Sequence, residues 1–343
     1  MTYEERPQNK NKPEGPPQNA PLEEPLVEIK DPPLWFTRAL AAPHEDRTVM
    51  VDGIPIHYLL WGAPKLGEAP KPGIVFVHGN GAHAQWFAHI APYLTDRFQV
   101  AAMDLGGMGE SGWRPDRYTR ESYAKEIFSI TQDAQMAPGY IVGHSFGGFV
   151  SLVAASTYGA QLGGVVLVDF GVRPPGEHEE WFKDNPPPRP TRIYPDYETA
   201  LGRFRLAPDQ PLANRFIFDH IARESLREVT PEPDHLGRTA EGTGWTWKFD
   251  PKIFYGLVLG DDLNERFVNM PCHKAVVMGG LSWNGRQEVM DYHREIGGLE
   301  TPVFSIPEAR HHVMLDQPHA FTMAIQGIIT AWEAERARAA DSA

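Results

Sequence analysis

The sequence predicts an α/β fold in which a mostly parallel, eight-stranded sheet carries helices on both faces. Short apolar runs such as 74–77 and 165–168 have the length and composition of strands that are buried on both sides. These runs alternate with longer helical segments, as expected when helices connect parallel strands. The stretch 171–265 interrupts this alternation with many prolines and several short helical pieces, and it therefore predicts an inserted, mainly helical cap.

The elements can be predicted in order along the chain. A short amphipathic helix at 33–40 is expected to dock through Trp35 and Phe36. The first two strands should form a hairpin around Asp52-Gly53, because this dipeptide favours a tight turn. Thr119 and Ser122 are candidate caps for the helix that follows them. The predicted strands are 47–51, 54–61, 74–77, 98–103, 141–142, 165–168, 275–278 and 303–306, and the predicted helices are 85–94, 119–135, 146–158, 287–296 and 320–339.

The chain length allows one large core with one insertion, since 343 residues are more than a compact domain usually needs. Residues 1–33 are rich in Pro, Glu, Gln and Asn, and this composition predicts a flexible arm. Residues 34–170 and 266–343 are predicted to form the two parts of the α/β core, on either side of the predicted cap at 171–265. No internal repeat is found.

Composition and charge exclude several classes of function. The net charge of −13 argues against a nucleic-acid partner, which would require a basic face. The sequence contains no apolar run long enough to span a membrane and no secretory signal. A single cysteine, Cys272, is typical of a reducing compartment, so a cytoplasmic location is expected. A small-molecule substrate is also expected, and the sequence leaves the oligomeric state open.

Residues 140–149 contain the feature that points most directly to chemistry, a Gly-x-Ser-x-Gly turn between an apolar strand and a helix. Ser145 on such a turn has its hydroxyl lifted out of the backbone, and Gly143 and Gly147 allow the close packing that the turn needs. The helix begins at the serine, so its N-terminus favours negative charge there. The pattern predicts a nucleophile whose product is an oxyanion.

Four motifs occur in an order that resembles the α/β-hydrolase fold superfamily, in a form with a cap. They are residues 77–81 (Val-His-Gly-Asn-Gly), 104–111 (Asp-Leu-Gly-Gly-Met-Gly-Glu-Ser), the serine turn at 143–147, and 310–318 (Arg-His-His-Val-Met-Leu-Asp-Gln-Pro). The resemblance covers roughly residues 47–338 and implies a Ser–acid–His triad, hydrolysis of an ester-like bond and no cofactor.

The resemblance assigns roles to individual residues. Ser145 corresponds to the nucleophile, and His311 rather than His312 corresponds to the base, because members place this histidine seven residues before a proline. Many members carry their acid where this chain has Ser282. Asp169, at the tip of the preceding strand, resembles the acid of some haloalkane dehalogenases and is the predicted third member. A purely structural role for Asp169 and a substitute acid at Glu288 are the alternatives.

The same reasoning names the groups around the nucleophile. The backbone N–H groups of Asn80 and Phe146 are expected to form the oxyanion hole. Aromatic residues suggest a pocket for an apolar or aromatic group. The candidate pocket residues are Trp86, Trp113, Trp181, Trp245 and His312. No metal site is predicted, since the histidines lack paired-ligand spacing.

The predicted function is a serine hydrolase that cleaves a small, mostly apolar ester or lactone through an acyl-enzyme. Dehalogenases and epoxide hydrolases of this fold use an aspartate on the turn, so Ser145 argues against both. Carbon–carbon bond hydrolysis of diketone ring-cleavage products, amide or thioester cleavage and perhydrolysis remain as alternatives, because fold and triad do not fix the acyl group. A non-catalytic ligand-binding protein is the alternative from a different class.

Overall fold

The computed structural model describes residues 28–174, 192–230 and 244–342. Within these ranges the strands are β1 (Glu45–Val51), β2 (Ile54–Trp61), β3 (Gly73–Val77), β4 (Gln99–Met103), β5 (Gly139–His144), β6 (Leu162–Val168), β7 (Leu226–Val229), β8 (Gly244–Trp247), β9 (His273–Gly279) and β10 (Val303–Ile306). The α-helices are α1 (Leu34–Leu40), α2 (Arg120–Asp133), α3 (Phe146–Tyr158), α4 (Tyr197–Leu201), α5 (Arg215–Glu224), α6 (Leu263–Val268), α7 (Gln287–Gly297), α8 (Val313–Asp316) and α9 (Pro318–Asp341).

Eight of these strands form one sheet in the order β1-β2-β4-β3-β5-β6-β9-β10. The pairings of β2 with β1 and with β4 are antiparallel, and the other pairings are parallel. The predicted fold class, a mostly parallel eight-stranded α/β sheet, is therefore confirmed. The hairpin between β1 and β2 turns at Asp52 and Gly53, with φ of 49° and 85°, which is the left-handed geometry that a tight hairpin turn requires.

The sheet is buried on both faces because alternate side chains of its central strands enter two different cores. In β3, Ile74 and Phe76 belong to one apolar cluster, whereas Val75 and Val77 belong to the other. The first cluster lies against α1, α5 and α9, and the second lies against α2, α3, α6 and α7. Side chains of a strand point alternately to opposite faces, so a continuous apolar run is the pattern of a strand covered on both sides.

Most predicted helices are present, and α3 has the predicted bounds. Helix α2 starts with a reciprocal cap, in which Thr119 Oγ1 accepts from the Ser122 N–H and Ser122 Oγ accepts from the Thr119 N–H. The predicted helix at 85–94 is instead two 3₁₀ turns, Ala84–Trp86 and Ala91–Leu94. Pro92 has no N–H to donate to the carbonyl of Ala88, so one continuous α-helix over 85–94 is disfavoured.

The chain leaves the main sheet after β6 and returns to it at β9. Helices α4 and α5 and the separate hairpin β7–β8 lie in this inserted segment. Its predicted end at residue 265 falls inside α6. The predicted pocket residue Trp181 and the predicted arm up to residue 27 lie outside the described residues.

The end of the predicted arm, residues 28–33, is attached to the inserted segment. The N–H of Ile29 donates to the carbonyl of Ala213 at 3.0 Å, and the N–H of Arg215 donates to the carbonyl of Ile29 at 2.9 Å. Phe36 of α1 then packs edge-on against Phe216 of α5. Within the described ranges, no helix combines the length and apolar composition needed to cross a bilayer.

Candidate active site

The turn between β5 and α3 places Ser145 in a strained backbone conformation. Ser145 has φ of 54° and ψ of −119°, a region that residues with a Cβ rarely adopt. The flanking glycines are required by packing. A Cβ on Gly143 would lie 2.4 Å from the carbonyl oxygen of Gly147, and a Cβ on Gly147 would lie 2.3 Å from the carbonyl oxygen of Val77. The sequence pattern therefore has a direct steric cause.

Ser145, His311 and Asp169 form a continuous chain of hydrogen bonds. Ser145 Oγ lies 2.9 Å from His311 Nε2, and His311 Nδ1 lies 2.6 Å from Asp169 Oδ2. A carboxylate accepts, so Nδ1 carries the proton and Nε2 has a lone pair that accepts the serine O–H. The structure brings together the three residues that the sequence analysis proposed, from the ends of three different elements of the core.

Ser282 binds the carboxylate that it was expected to replace. Its Oγ donates to Asp169 Oδ2 at 2.6 Å, and the Gly279 N–H donates to Oδ1 at 3.1 Å. Asp169 itself has φ of 43°, and Asn284 Nδ2 donates to its backbone carbonyl at 2.9 Å. The sequence has a serine in the acid position, but the contact of this serine with Asp169 was not predicted. A hydroxyl donor in the position where many family members carry an acid was the signal from which the contact with Asp169 could have been predicted.

The loop that carries His311 is held by the inserted segment. Gln210 accepts from the His312 N–H at 3.0 Å and donates to Asp316 Oδ1 at 3.0 Å. Asn214 Nδ2 donates to the carbonyl oxygens of Leu315 and Asp316 at 2.7 and 3.1 Å. Burial raises the pKa of Asp316 to about 6. These contacts attach the histidine loop to the inserted segment.

Two further histidines, His144 and His312, lie next to His311. His144 Nε2 lies 2.8 Å from the carbonyl oxygen of His311, and His312 Nε2 lies 3.0 Å from that of Pro208. Burial lowers the pKa of His144 well below its usual value and lowers that of His312 to about 3, so both rings are neutral. One nitrogen from each of His144, His311 and His312 lies within 4.8 Å of the others. A metal ion bound there would compete with the bonds of His311 to Ser145 and Asp169.

The proposed oxyanion donors lie beside the serine. Phe146 is the first residue of α3, where the backbone N–H has no partner within the helix. Asn80 lies in the loop after β3 and lines the same cavities as Ser145. In the part of the chain that the structure describes, neither backbone N–H donates a hydrogen bond to another residue. Both remain available to a developing negative charge.

Two cavities meet at Ser145. The larger has a volume of about 840 Å³, and its wall is mainly aromatic and aliphatic. The smaller has a volume of about 430 Å³ and extends from Ser145 towards the inserted segment. The apolar residues that line the larger cavity include Phe149, Phe170, Phe254, Leu259, Leu263 and Trp283. These residues were not predicted to line a pocket, because an apolar side chain that lines a cavity has the same sequence pattern as one in the core.

The predicted pocket residues separate into two groups. Trp86 and His312 line the smaller cavity. Trp113 lies away from both cavities, 40% exposed, with the Arg227 guanidinium over its ring. Trp245 packs edge-on against Tyr197 within the inserted segment and lines neither cavity. Both tryptophans are engaged elsewhere, so the structure does not support their assignment to the pocket.

A second buried histidine–carboxylate pair supports the glycine-rich loop at 104–111. His57 Nδ1 lies 2.6 Å from Asp104 Oδ2, and His57 Nε2 lies 3.1 Å from Asp46 Oδ1. Burial acts to lower the pKa of His57, but the hydrogen bond to Asp104 and the charges of Asp46 and Glu110 outweigh it and raise this pKa. The other oxygen of Asp104 accepts from the N–H of Ala84 at 2.6 Å, at the start of the 3₁₀ turn Ala84–Trp86. This pair is a structural element of the loop.

Comparison with known proteins is consistent with this architecture. A profile of the α/β hydrolase fold family matches residues 72–216. A rice protein (Oryza sativa subsp. japonica) named as a probable 1-acylglycerol-3-phosphate O-acyltransferase is 35% identical over 312 residues, which cover 85% of this chain and 72% of that protein. An uncharacterized hydrolase of Bacillus subtilis is 32% identical over 123 residues, which cover 36% of this chain and 43% of that protein. The chain spans less than half the length of this and two further curated relatives.

A solved structure gives the same result for the fold. An esterase of Mycobacterium tuberculosis superposes with a TM-score of 0.63 at 20% identity. The superposition covers 87% of this chain and 97% of the esterase. At this identity the similarity shows the fold alone. Taken with the family profile and the rice relative, it shows that the chain belongs to the α/β hydrolase fold family.

Proposed function

We propose that this protein is a serine hydrolase that cleaves a carboxylic ester through an acyl-enzyme. The observation that carries the proposal is the hydrogen-bonded chain Ser145–His311–Asp169 at the junction of two cavities, with two backbone N–H groups available beside the serine. The names of relatives and neighbours, which include hydrolases and esterases, support the same reaction class.

The geometry supports a two-step reaction. Ser145 Oγ attacks the carbonyl carbon while its proton moves to His311 Nε2, and the N–H groups of Asn80 and Phe146 stabilise the oxyanion. The intermediate collapses, and His311 returns the proton to the departing alkoxide, which leaves as an alcohol. Water then attacks the acyl-enzyme with His311 as base, and collapse of the second intermediate releases the acid and restores the serine. Asp169 holds the imidazole in the required tautomer and stabilises the imidazolium.

The contact between Ser282 and Asp169 bears on the non-catalytic alternative. The absence of an acid at position 282, where many family members carry theirs, is the feature that favours a non-catalytic protein. A serine that donates to Asp169 at 2.6 Å is instead consistent with an acid that has moved to the tip of β6. The rice relative is named as an acyltransferase, and such a reaction would use the same acyl-enzyme with an alcohol in place of water.

Labelling with a fluorophosphonate probe tests the proposal directly. We expect modification at Ser145, mapped by peptide analysis, and turnover of a p-nitrophenyl ester. The variant Ser145→Ala should lose both, with activity at least about a thousandfold lower and an unchanged melting temperature. Ser156→Ala, at a half-buried serine near the C-terminal end of the same helix that lines neither cavity, is the matched control. Retained turnover in Ser145→Ala, or labelling that survives in His311→Ala, would remove these assignments.

A further inference from the structure

We propose that the smaller cavity beside Ser145 binds an anionic group, a carboxylate or a phosphate, on the acyl part of the substrate. This inference rests on the proposed ester hydrolase function and narrows its substrate to esters of acids that carry a second, charged end. The substrate predicted from the sequence is mostly apolar, so an anion site changes the class of compound to be screened.

The described wall of the smaller cavity carries positive formal charge. Arg203 and Arg205 are among the described residues that line the smaller cavity, and no aspartate or glutamate is among them. The whole chain has 45 acidic and 32 basic side chains, so a wall with only positive formal charges departs from the average surface. The wall of the larger cavity contains two arginines and two aspartates and is balanced.

The guanidinium groups of Arg203 and Arg205 have N–H donors available to a ligand. Arg205 Nη1 donates to the carbonyl oxygens of Gly202 and Phe204 at 3.1 and 2.6 Å. These bonds position the group and leave the N–H donors on Nε and Nη2. Among the described residues, no hydrogen bond or ion pair engages the side chain of Arg203. Arginine binds carboxylate and phosphate oxygens with paired N–H donors, so these two groups suit an anion.

The remaining titratable groups of the wall do not contribute charge. His144 and His312 line the same cavity, and burial lowers the pKa of both far enough to keep them neutral at physiological pH. The positive charge of the cavity is therefore that of the arginines, which stay protonated at any pH at which the protein is folded.

The position of His311 decides which part of the substrate enters. His311 lines the larger cavity and is absent from the described wall of the smaller one. The base must return its proton to the departing oxygen, so the leaving alcohol points into the larger, apolar cavity. The acyl chain then extends into the smaller cavity. The cube root of its volume is about 7.5 Å, which is the length of a short aliphatic chain with a charged end.

Matched esters test the proposal. The series is benzyl hydrogen glutarate, with an acyl-side carboxylate, benzyl 4-phosphonobutanoate, with an acyl-side phosphonate, neutral benzyl pentanoate, and 4-carboxybenzyl pentanoate, with a carboxylate on the alcohol. For each, kcat/KM is measured in the wild type, Arg203→Gln, the double variant Arg203→Gln/Arg205→Gln, and Arg97→Gln. Arg97 is an exposed arginine that lines neither cavity, and it is the control for loss of one positive charge.

We expect the ratio of kcat/KM for an acyl-side anionic ester to that for benzyl pentanoate to fall about fivefold in Arg203→Gln and further in the double variant. The ratio should not change in Arg97→Gln. Of the two acyl-side anionic esters, the one whose kcat/KM ratio falls more carries the anion that the cavity prefers. An unchanged ratio in the double variant, or a loss confined to 4-carboxybenzyl pentanoate, would overturn the proposal. Arg205→Gln also removes two hydrogen bonds to backbone carbonyl oxygens. If the double variant has a lower melting temperature than the wild type, the kcat/KM ratio of Arg203→Gln alone decides the test.

A binding experiment separates this inference from the proposed reaction. Calorimetry measures the affinity of benzyl hydrogen glutarate for Ser145→Ala, with and without Arg203→Gln. Weaker binding by about fivefold with Arg203→Gln supports the anion site even if the wild type hydrolyses none of the esters. Equal affinity in the two proteins refutes the anion site even if Ser145-dependent hydrolysis is found.

Discussion

Replacement of Asp169 by Asn is the most informative test of the hydrogen-bonded chain. The substitution is nearly isosteric, so the contact of Oδ1 with the Gly279 N–H can be kept. The other carboxylate oxygen, however, becomes an amide group that donates. It then faces His311 Nδ1 and the Ser282 hydroxyl, which both donate to this oxygen in the native protein at 2.6 Å.

The expected loss follows from the tautomer of His311. With an amide donor at Asp169, the imidazole accepts at Nδ1 and carries its proton on Nε2, so it cannot accept the proton of Ser145. A change of this kind lowers kcat by about 10⁴-fold in the Ser-His-Asp enzymes for which it has been characterised. In Ser282→Ala the Asp169 carboxylate keeps its bonds to Gly279 and His311. We expect a loss of about tenfold there, equivalent to one charge-assisted hydrogen bond of about 1.5 kcal/mol.

Steady-state hydrolysis of a p-nitrophenyl ester, with melting temperatures recorded in parallel, measures both effects. A further variant, the double substitution Asp169→Asn/Ser282→Asp, places the acid after β9 instead of after β6. Ser282 Oγ and His311 Nδ1 each lie 2.6 Å from Asp169 Oδ2, so a carboxylate at 282 can reach the imidazole. We expect it to recover at least about tenfold of the lost rate. A loss below tenfold in folded Asp169→Asn would refute the role of Asp169.

Two further predictions concern stability. His57→Gln should lower the free energy of unfolding by about 1–3 kcal/mol at pH 6. Because the folded-state pKa of His57 is raised above 6.5, the difference in this free energy from wild type should shrink as the pH rises through that pKa. Denaturant titrations that show a constant or growing difference would contradict a charged pair between His57 and Asp104. Gly147→Ala should destabilise strongly because its Cβ meets the Val77 carbonyl oxygen at 2.3 Å, whereas Gly327→Ala, on α9 with no atom within 4 Å, should stabilise by about 0.5–1 kcal/mol. Thermal unfolding that ranks these two glycine variants in the opposite order would show that the steric argument is wrong.

The sheet could be predicted because its determinants are local. Apolar runs, the Asp52-Gly53 turn and the cap at Thr119 each specify an element from neighbouring residues alone, and the structure follows them. The segment 85–94 was predicted as one helix because its composition allows it. Pro92, however, has no backbone N–H to donate, and the segment forms two 3₁₀ turns instead.

The candidate site was predictable to the extent that its residues stand in motifs. Ser145 follows from its own turn, and His311 from its distance to Pro318. The bond from Ser282 to Asp169 joins residues 113 apart, and no local pattern encodes it. The pocket was the weakest prediction, because an aromatic composition does not say which face a side chain occupies. Trp113 and Trp245 are bound to other groups, while Arg203 and Arg205 line the smaller cavity without any motif.

The attachment of the histidine loop to the inserted segment has a consequence for how this fold can diversify. Gln210 and Asn214 contribute hydrogen bonds to residues about a hundred positions further along the chain, so the insertion is not an interchangeable module. A graft that replaced it with the corresponding segment of another family member would change the substrate cavity and release the loop of the base in one step. To keep a working enzyme, such a chimera would have to retain residues 208–214 or acquire new supports for that loop.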